Sequence, residues 1–139
     1  VDNNAQSALI CDMAIRSELT VRLQNSPGAL RRICQILGEE RVNIIALSVE
    51  TAGSLRILAD NPLRAVNALE THNYAVQSHD VLFLELSHSP GSLGEVTQLL
   101  AKADVNINYI YAAGSETRKN AVVVIGVEDV VRAATLVGI

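Results

Sequence analysis

Two cysteines, no excess of cations and no long apolar run close several functions to this chain before any motif is read. Cys11 and Cys34 are not in C-x-x-C spacing, and two thiols cannot complete a tetrahedral metal site unless histidines join them. Both are expected to be free, with Cys34 a small buried hydrophobe on a helix stripe. Lysine and arginine total 11 against 15 acidic residues, the formal charge is −4, and the cations are dispersed. Neutralising phosphates takes a basic stripe, so nucleic acid is not expected as a partner. The longest apolar runs, "AVVVIG" and "VLFLEL", fall far short of the ~20 residues that a bilayer-spanning helix needs. No membrane segment and a cytoplasmic location follow as expectations.

Catalytic signatures are missing too. His72, His79 and His88 lack metal-ligand spacing and read as solvent-exposed loop residues. No G-x-G-x-x-G or Walker pattern occurs, and "GSLGEV" follows a proline at a helix start instead of a strand. No nucleophile with a base, paired carboxylates or metal cluster is apparent, so neither an enzyme nor a cofactor or metal is expected.

What the chain does have is a repeat. Setting Ser26 over Ser89, 63 residues on, aligns "SPGALRRICQILGEERVNI" with "SPGSLGEVTQLLAKADVNI". The identities include Ser26/Ser89, Pro27/Pro90, Gly28/Gly91, Leu30/Leu93, Leu37/Leu100 and Asn43/Asn106, which mix turn chemistry with core positions. Each copy reads the same way. "LTVRLQ" alternates, and Leu82, Leu84 and Leu86 repeat the alternation, so both are strands. Helical spacing follows, with Leu30, Ile33, Cys34 and Leu37 in one copy and Leu93, Val96, Thr97 and Leu100 in the other. Two β-rich runs come next, then a second helix opened by Asn61-Pro62 or Asp129. "YAVQS" reads as a closing strand.

The order β-α-β-β-α-β, given twice, predicts an α+β chain of two ferredoxin-like units, each an antiparallel sheet with its helices on one face, joined side by side. The expected divisions are an N-terminal extension over residues 1–17, a first domain over 18–79 and a second over 80–139. Residues 1–12 precede Met13 without a counterpart in the repeat, which fits either an added leader or an upstream extension. The second copy stops at "LVGI", so its closing strand is short or missing, and either "ALICDMA" or a partner chain is expected to fill that edge.

The Ser-Pro-Gly corner raises a functional question. Ser26 and Ser89 suit an N-cap and Pro27 and Pro90 the first helical position, which makes a plain helix start. Gly28 and Gly91 need a further reason, either an unusual backbone bend or a close approach to the amides of Gly28, Ala29 and Leu30, or of Gly91, Ser92 and Leu93. Those amides stand at the positive end of a helix, where a small carboxylate fits. Asn43 and Asn106, in "VNI", open the next strand, and a carboxamide both donates and accepts. A local turn bond is the plain alternative there.

These residues resemble the ACT domain, a small regulatory module, in two copies from about residue 18 onward. The resemblance rests on "LQNSPGALRRICQILGEERVNI" and "LSHSPGSLGEVTQLLAKADVNI" and is nearest to stand-alone tandem members. It implies a free amino acid bound where ACT units meet, by the first strand-to-helix loop and the start of the second strand. The residues so implied are Asn25, Ser26, Gly28, Ala29, Leu30, Asn43 and Ile44 in the first copy. In the second they are His88, Ser89, Gly91, Ser92, Leu93, Asn106 and Ile107, with His88 standing where the family's asparagine would be. A homodimer and a regulated enzyme or other protein are the implied partners. The alternative is an interaction module that assembles through its sheet edges without a ligand. Tyr109 and Tyr111 share one strand face, for sheet packing or for ligand stacking.

Overall fold

The computed structural model describes residues 10–137. In chain order the elements are β1 (Ile10–Arg22), α1 (Ala29–Glu39), β2 (Ile44–Val49), β3 (Ser54–Ala59), α2 (Pro62–Thr71), β4 (Val76–Ser87), α3 (Ser92–Lys102), β5 (Ile107–Ala113), β6 (Asn120–Val127) and α4 (Val130–Val137). They form two compact units. Residues 17–79 make the first; residues 80–137 and 10–16 make the second. The architecture is α+β and ferredoxin-like in each.

In the first unit the strand order is β2-β3-β1-β4, with β3 antiparallel to both β1 and β2. Alternation turns Leu19, Val21, Leu55 and Ile57 toward Ile33, Ile36 and Leu37 of α1 and Ala65, Ala68 and Leu69 of α2. Cys34 lies at the margin of this core, half-buried, and Ile36 takes the central place. The second unit repeats the plan as β1-β4-β6-β5, with Leu82, Leu84, Leu86, Val123 and Ile125 packed on Val96, Leu100, Ala133 and Ala134.

The missing closing strand is supplied from upstream. β1 is 13 residues long, and its part before Ser17 belongs to the second unit, where Ile10 and Met13 pack against the core. Thus "ALICDMA" fills the edge as far as it is described; its residues 8 and 9, like the rest of the proposed leader, lie outside the described residues. "YAVQS" and "VLFLEL" likewise merge into one strand, β4.

The ends of α1, α2 and α3 follow one rule. At the end of α1, Arg41 adopts φ 57°, its amide reaches the Gly38 carbonyl at 3.0 Å and the Val42 amide reaches that of Leu37 at 2.9 Å. Asp104 with φ 59° and Val105 repeat the pattern after α3, and Asn73 with φ 69° and Tyr74 after α2. These are Schellman ends, in which the residue after the left-handed one buries a hydrophobe; that is the role of the valine in each "VNI".

The sheet face away from the helices holds a charge cluster in the first unit. Glu18 is wholly buried, with its Oε1 2.9 Å from His79 Nε2 and 3.5 Å from an Arg56 guanidinium nitrogen, while Arg56 Nε donates to Glu50 at 3.0 Å. His79 therefore sits in β4, half-buried and bonded, and not in an exposed loop. A buried carboxylate is tolerable only when so paired.

Two outcomes follow. Arg41→Gly and Asp104→Gly should each raise stability by about 0.5–1 kcal/mol, because glycine alone adopts the left-handed conformation without cost; chemical denaturation measures it. Glu18→Gln should lower stability by about 1–3 kcal/mol, since the partners keep partial solvent access and lose only their anion. A neutral result would show that the cluster is dispensable.

Candidate functional site

The two corners are built by turn chemistry. Gly28 and Gly91 have φ of 85° and 88°, and the helices begin at Ala29 and Ser92. The Ser26 carbonyl accepts from the Ala29 amide at 3.3 Å and the Ser89 carbonyl from the Ser92 amide at 3.2 Å. Proline second and a left-handed glycine third define a type II turn. The capping expectation is therefore corrected. Ser26 and Ser89 are not N-caps and Pro27 and Pro90 are not helical, because the glycine precedes each helix and no side chain caps it. A Cβ at either glycine would meet no described protein atom within 4 Å, so the bend by itself is enough to require glycine.

The turn also decides which amides are free. Ala29 and Ser92 spend theirs on the turn, contrary to expectation. The Gly28, Leu30 and Arg31 amides have no acceptor among the described residues. The first corner borders a cleft of about 580 Å³ lined by Ser26, Pro27, Gly28 and Ala29, by Arg22 and Gln24 at the end of β1, by Arg32 from α1 and by Asn73 and Tyr74; of the three residues with open amides, Gly28 lines it and Leu30 and Arg31 do not. Neither Arg22 nor Arg32 has a carboxylate partner among the described residues. The volume lies in the ordinary range for small-molecule sites.

The second corner differs. Its cleft is about 240 Å³ and is lined by His88, Ser89, Ser92 and Leu93, with Ala112, Ala113 and Gly114 from the end of β5. The Ser92 hydroxyl is buried and lies 2.8 Å from that of Ser89. The His88 ring rests on Gly114, where a Cβ would come within 2.5 Å of it.

Asn43 and Asn106 do not join the corner of their own unit. The corner of the first unit is at the sheet end where Arg22 pairs with Ser54 and the Leu23 amide meets Gly53, whereas Ile44 pairs with Ala59 at the other end. The six residues of β2 put about 20 Å between them. Asn43 is instead held by its backbone, its amide on Asp60 Oδ1 at 3.0 Å and its carbonyl on the Asp60 amide at 3.0 Å, so the local bond is not made by its carboxamide. Asn106 just precedes Ile107, which pairs with Val127, and so is at the matching far end of its unit. Asn25 is exposed and lines neither cleft.

The arginines and Tyr74 were missed in sequence because they come from three separate elements, and only Arg32, one turn into α1, was within reach of a helical projection. Tyr109 and Tyr111 are stacked, with ring centroids 6.5 Å apart, and Tyr109 covers Gly126 on the sheet face away from the helices. That is packing, and neither tyrosine lines the cleft at the second corner. Among the described residues no group of three or more histidine, cysteine, aspartate or glutamate side chains could hold a metal. No helix among them is long and apolar enough to cross a membrane.

Solved structures of the same fold include protein BT0572 from Bacteroides thetaiotaomicron, at 28% identity and a TM-score of 0.82 over 89% of this chain and 87% of that one. The regulatory subunit of aspartate kinase from Thermus flavus matches at 16% identity and a TM-score of 0.62, over 93% and 96%. E. coli aspartokinase III, solved in complex with lysine and aspartate, matches at 15% and 0.59, over 93% of this chain and 32% of that one. No curated protein matches. The family model for the ACT domain pair matches residues 13–136, and with its duplicated corners and paired ferredoxin-like units the chain belongs to that family.

Proposed function

We propose that the protein is a non-catalytic regulatory sensor, acting in the cytoplasm, whose effector is a free amino acid held at the first Pro-Gly corner and bridged by an asparagine of another ACT unit. One observation carries the reading. Two arginines with no carboxylate partner among the described residues share a cleft with Gly28, whose amide is open where α1 begins, and that arrangement suits a carboxylate. The lysine and aspartate in the aspartokinase III complex support the ligand class. Because Asn43 lies at the far end of its unit, it serves a corner only across a boundary between units or chains. Binding there stabilises whichever arrangement makes the bridge, and a regulated enzyme or other protein reads the change.

A thermal-shift screen of the twenty amino acids tests this. At 100 times its dissociation constant the effector adds about 2.7 kcal/mol of stability, which is several degrees for a chain of this size. If none moves the melting temperature, the reading fails.

Oligomerisation is the second component. β2 is an edge strand and exposes Leu47 and Val49, at 38% and 48%, which favours pairing through that edge. Val49→Lys should shift a homodimer to monomer in sedimentation velocity, while an unchanged mass would move the interface elsewhere.

A further inference from the structure

We infer that the two corners have diverged into one carboxylate site and one closed corner, so that each chain takes a single anionic ligand, in its first unit, with acidic amino acids preferred. The inference rests on the amino-acid reading above and adds its stoichiometry and ligand class.

The 63-residue offset that aligns the copies sets Glu85 against Arg22 and Glu95 against Arg32. Both arginines of the first corner thus align with glutamates in the second unit; Glu95 lies in the first turn of α3, and Glu85 lines a separate cleft of about 560 Å³ with Arg118 and Lys119. For the helix position the backbone is the same, since the Arg32 amide donates to Gly28 and the Glu95 amide to Gly91, each at 3.0 Å. Charge is reversed there at fixed geometry. A carboxylate in the first helical turn is stabilised by the amides and dipole it faces. Glu95 therefore supplies from within the chain the negative charge that the first corner leaves to a ligand.

Shape changes in the same sense. Ala29 is replaced by Ser92, whose hydroxyl bonds to that of Ser89 and is buried, and the cleft falls from about 580 to about 240 Å³. No lysine or arginine lines the smaller cleft, and no aspartate or glutamate lines the larger. An incoming carboxylate meets two cations in the lining of the first cleft and none in that of the second. The same two cations, with no acidic wall to balance them, oppose a lysine or arginine side chain and favour a second carboxylate.

Isothermal titration of the full chain with aspartate, glutamate, alanine and lysine tests this. The expected result is one site per chain, tightest for an acidic amino acid. Arg32→Glu should weaken it by about tenfold or more, Arg32→Lys should retain most of the affinity, and Glu95→Gln should change it by less than about twofold. Unchanged melting of the ligand-free variants separates lost charge from lost fold. Two equivalent sites per chain, tightest binding of lysine, or equal losses in Arg32→Glu and Glu95→Gln would overturn the inference and leave the amino-acid reading standing. No binding of any amino acid, by titration or by thermal shift, would overturn both.

Discussion

The left-handed glycine between the first strand and first helix of each unit is the constraint on which the rest depends. With φ near 85° at Gly28 and 88° at Gly91, the chain reverses within four residues and lays its helix back over the sheet it has just left. The helix can then set Ile33 and Leu37, or Val96 and Leu100, over the alternating leucines of the strand. One turn amide is consumed in making the bend, and the next ones are left open. Helix start and proposed ligand corner are therefore a single device. A cap made by a serine side chain would have covered the very donors that a carboxylate needs.

Much of this was legible in the residues and part was not, for identifiable reasons. The duplication was plain, because Ser-Pro-Gly and Val-Asn-Ile recur at one spacing and period-2 and period-3.6 patterns alternate between them. Asn61 and Asp129 opened helices as read, accepting from the Arg64 and Arg132 amides. Ser-Pro-Gly, however, satisfies the rules for a capped helix with proline first and for a type II turn equally well, and only the φ of the glycine separates them. Val-Asn-Ile had the same ambiguity. Its valine is fixed by a Schellman end whose left-handed residue is arginine or aspartate, with no glycine to mark it.

The strand that completes the second unit was legible only as a gap. Residues 10–16 have no partner in the repeat, so no internal comparison could assign them, and the clue was the abrupt end at "LVGI". Glu18 was hidden for another reason. Alternation assigns it to the polar face of β1, and nothing local says that this face is covered; a lone glutamate in a strand reads as solvated until Arg56 and His79, 38 and 61 residues away, are brought to it.

Size explains how a small ligand would control such a fold, as proposed. A unit of about 60 residues buries only about 60% of the surface its unfolded chain exposes, so its stability is small. An effector present well above its dissociation constant adds a comparable free energy, on the order of 2–3 kcal/mol. A larger domain would absorb that increment without changing its behaviour, whereas in a unit this small it is a large share of the total stability. Placing the corner at the junction of β1 and α1 puts the increment on elements that carry the unit's own core, Leu19, Val21, Ile33 and Leu37. A ligand at the proposed site would thus act on the packing of the whole unit and not on a peripheral loop, as the proposed sensor role requires.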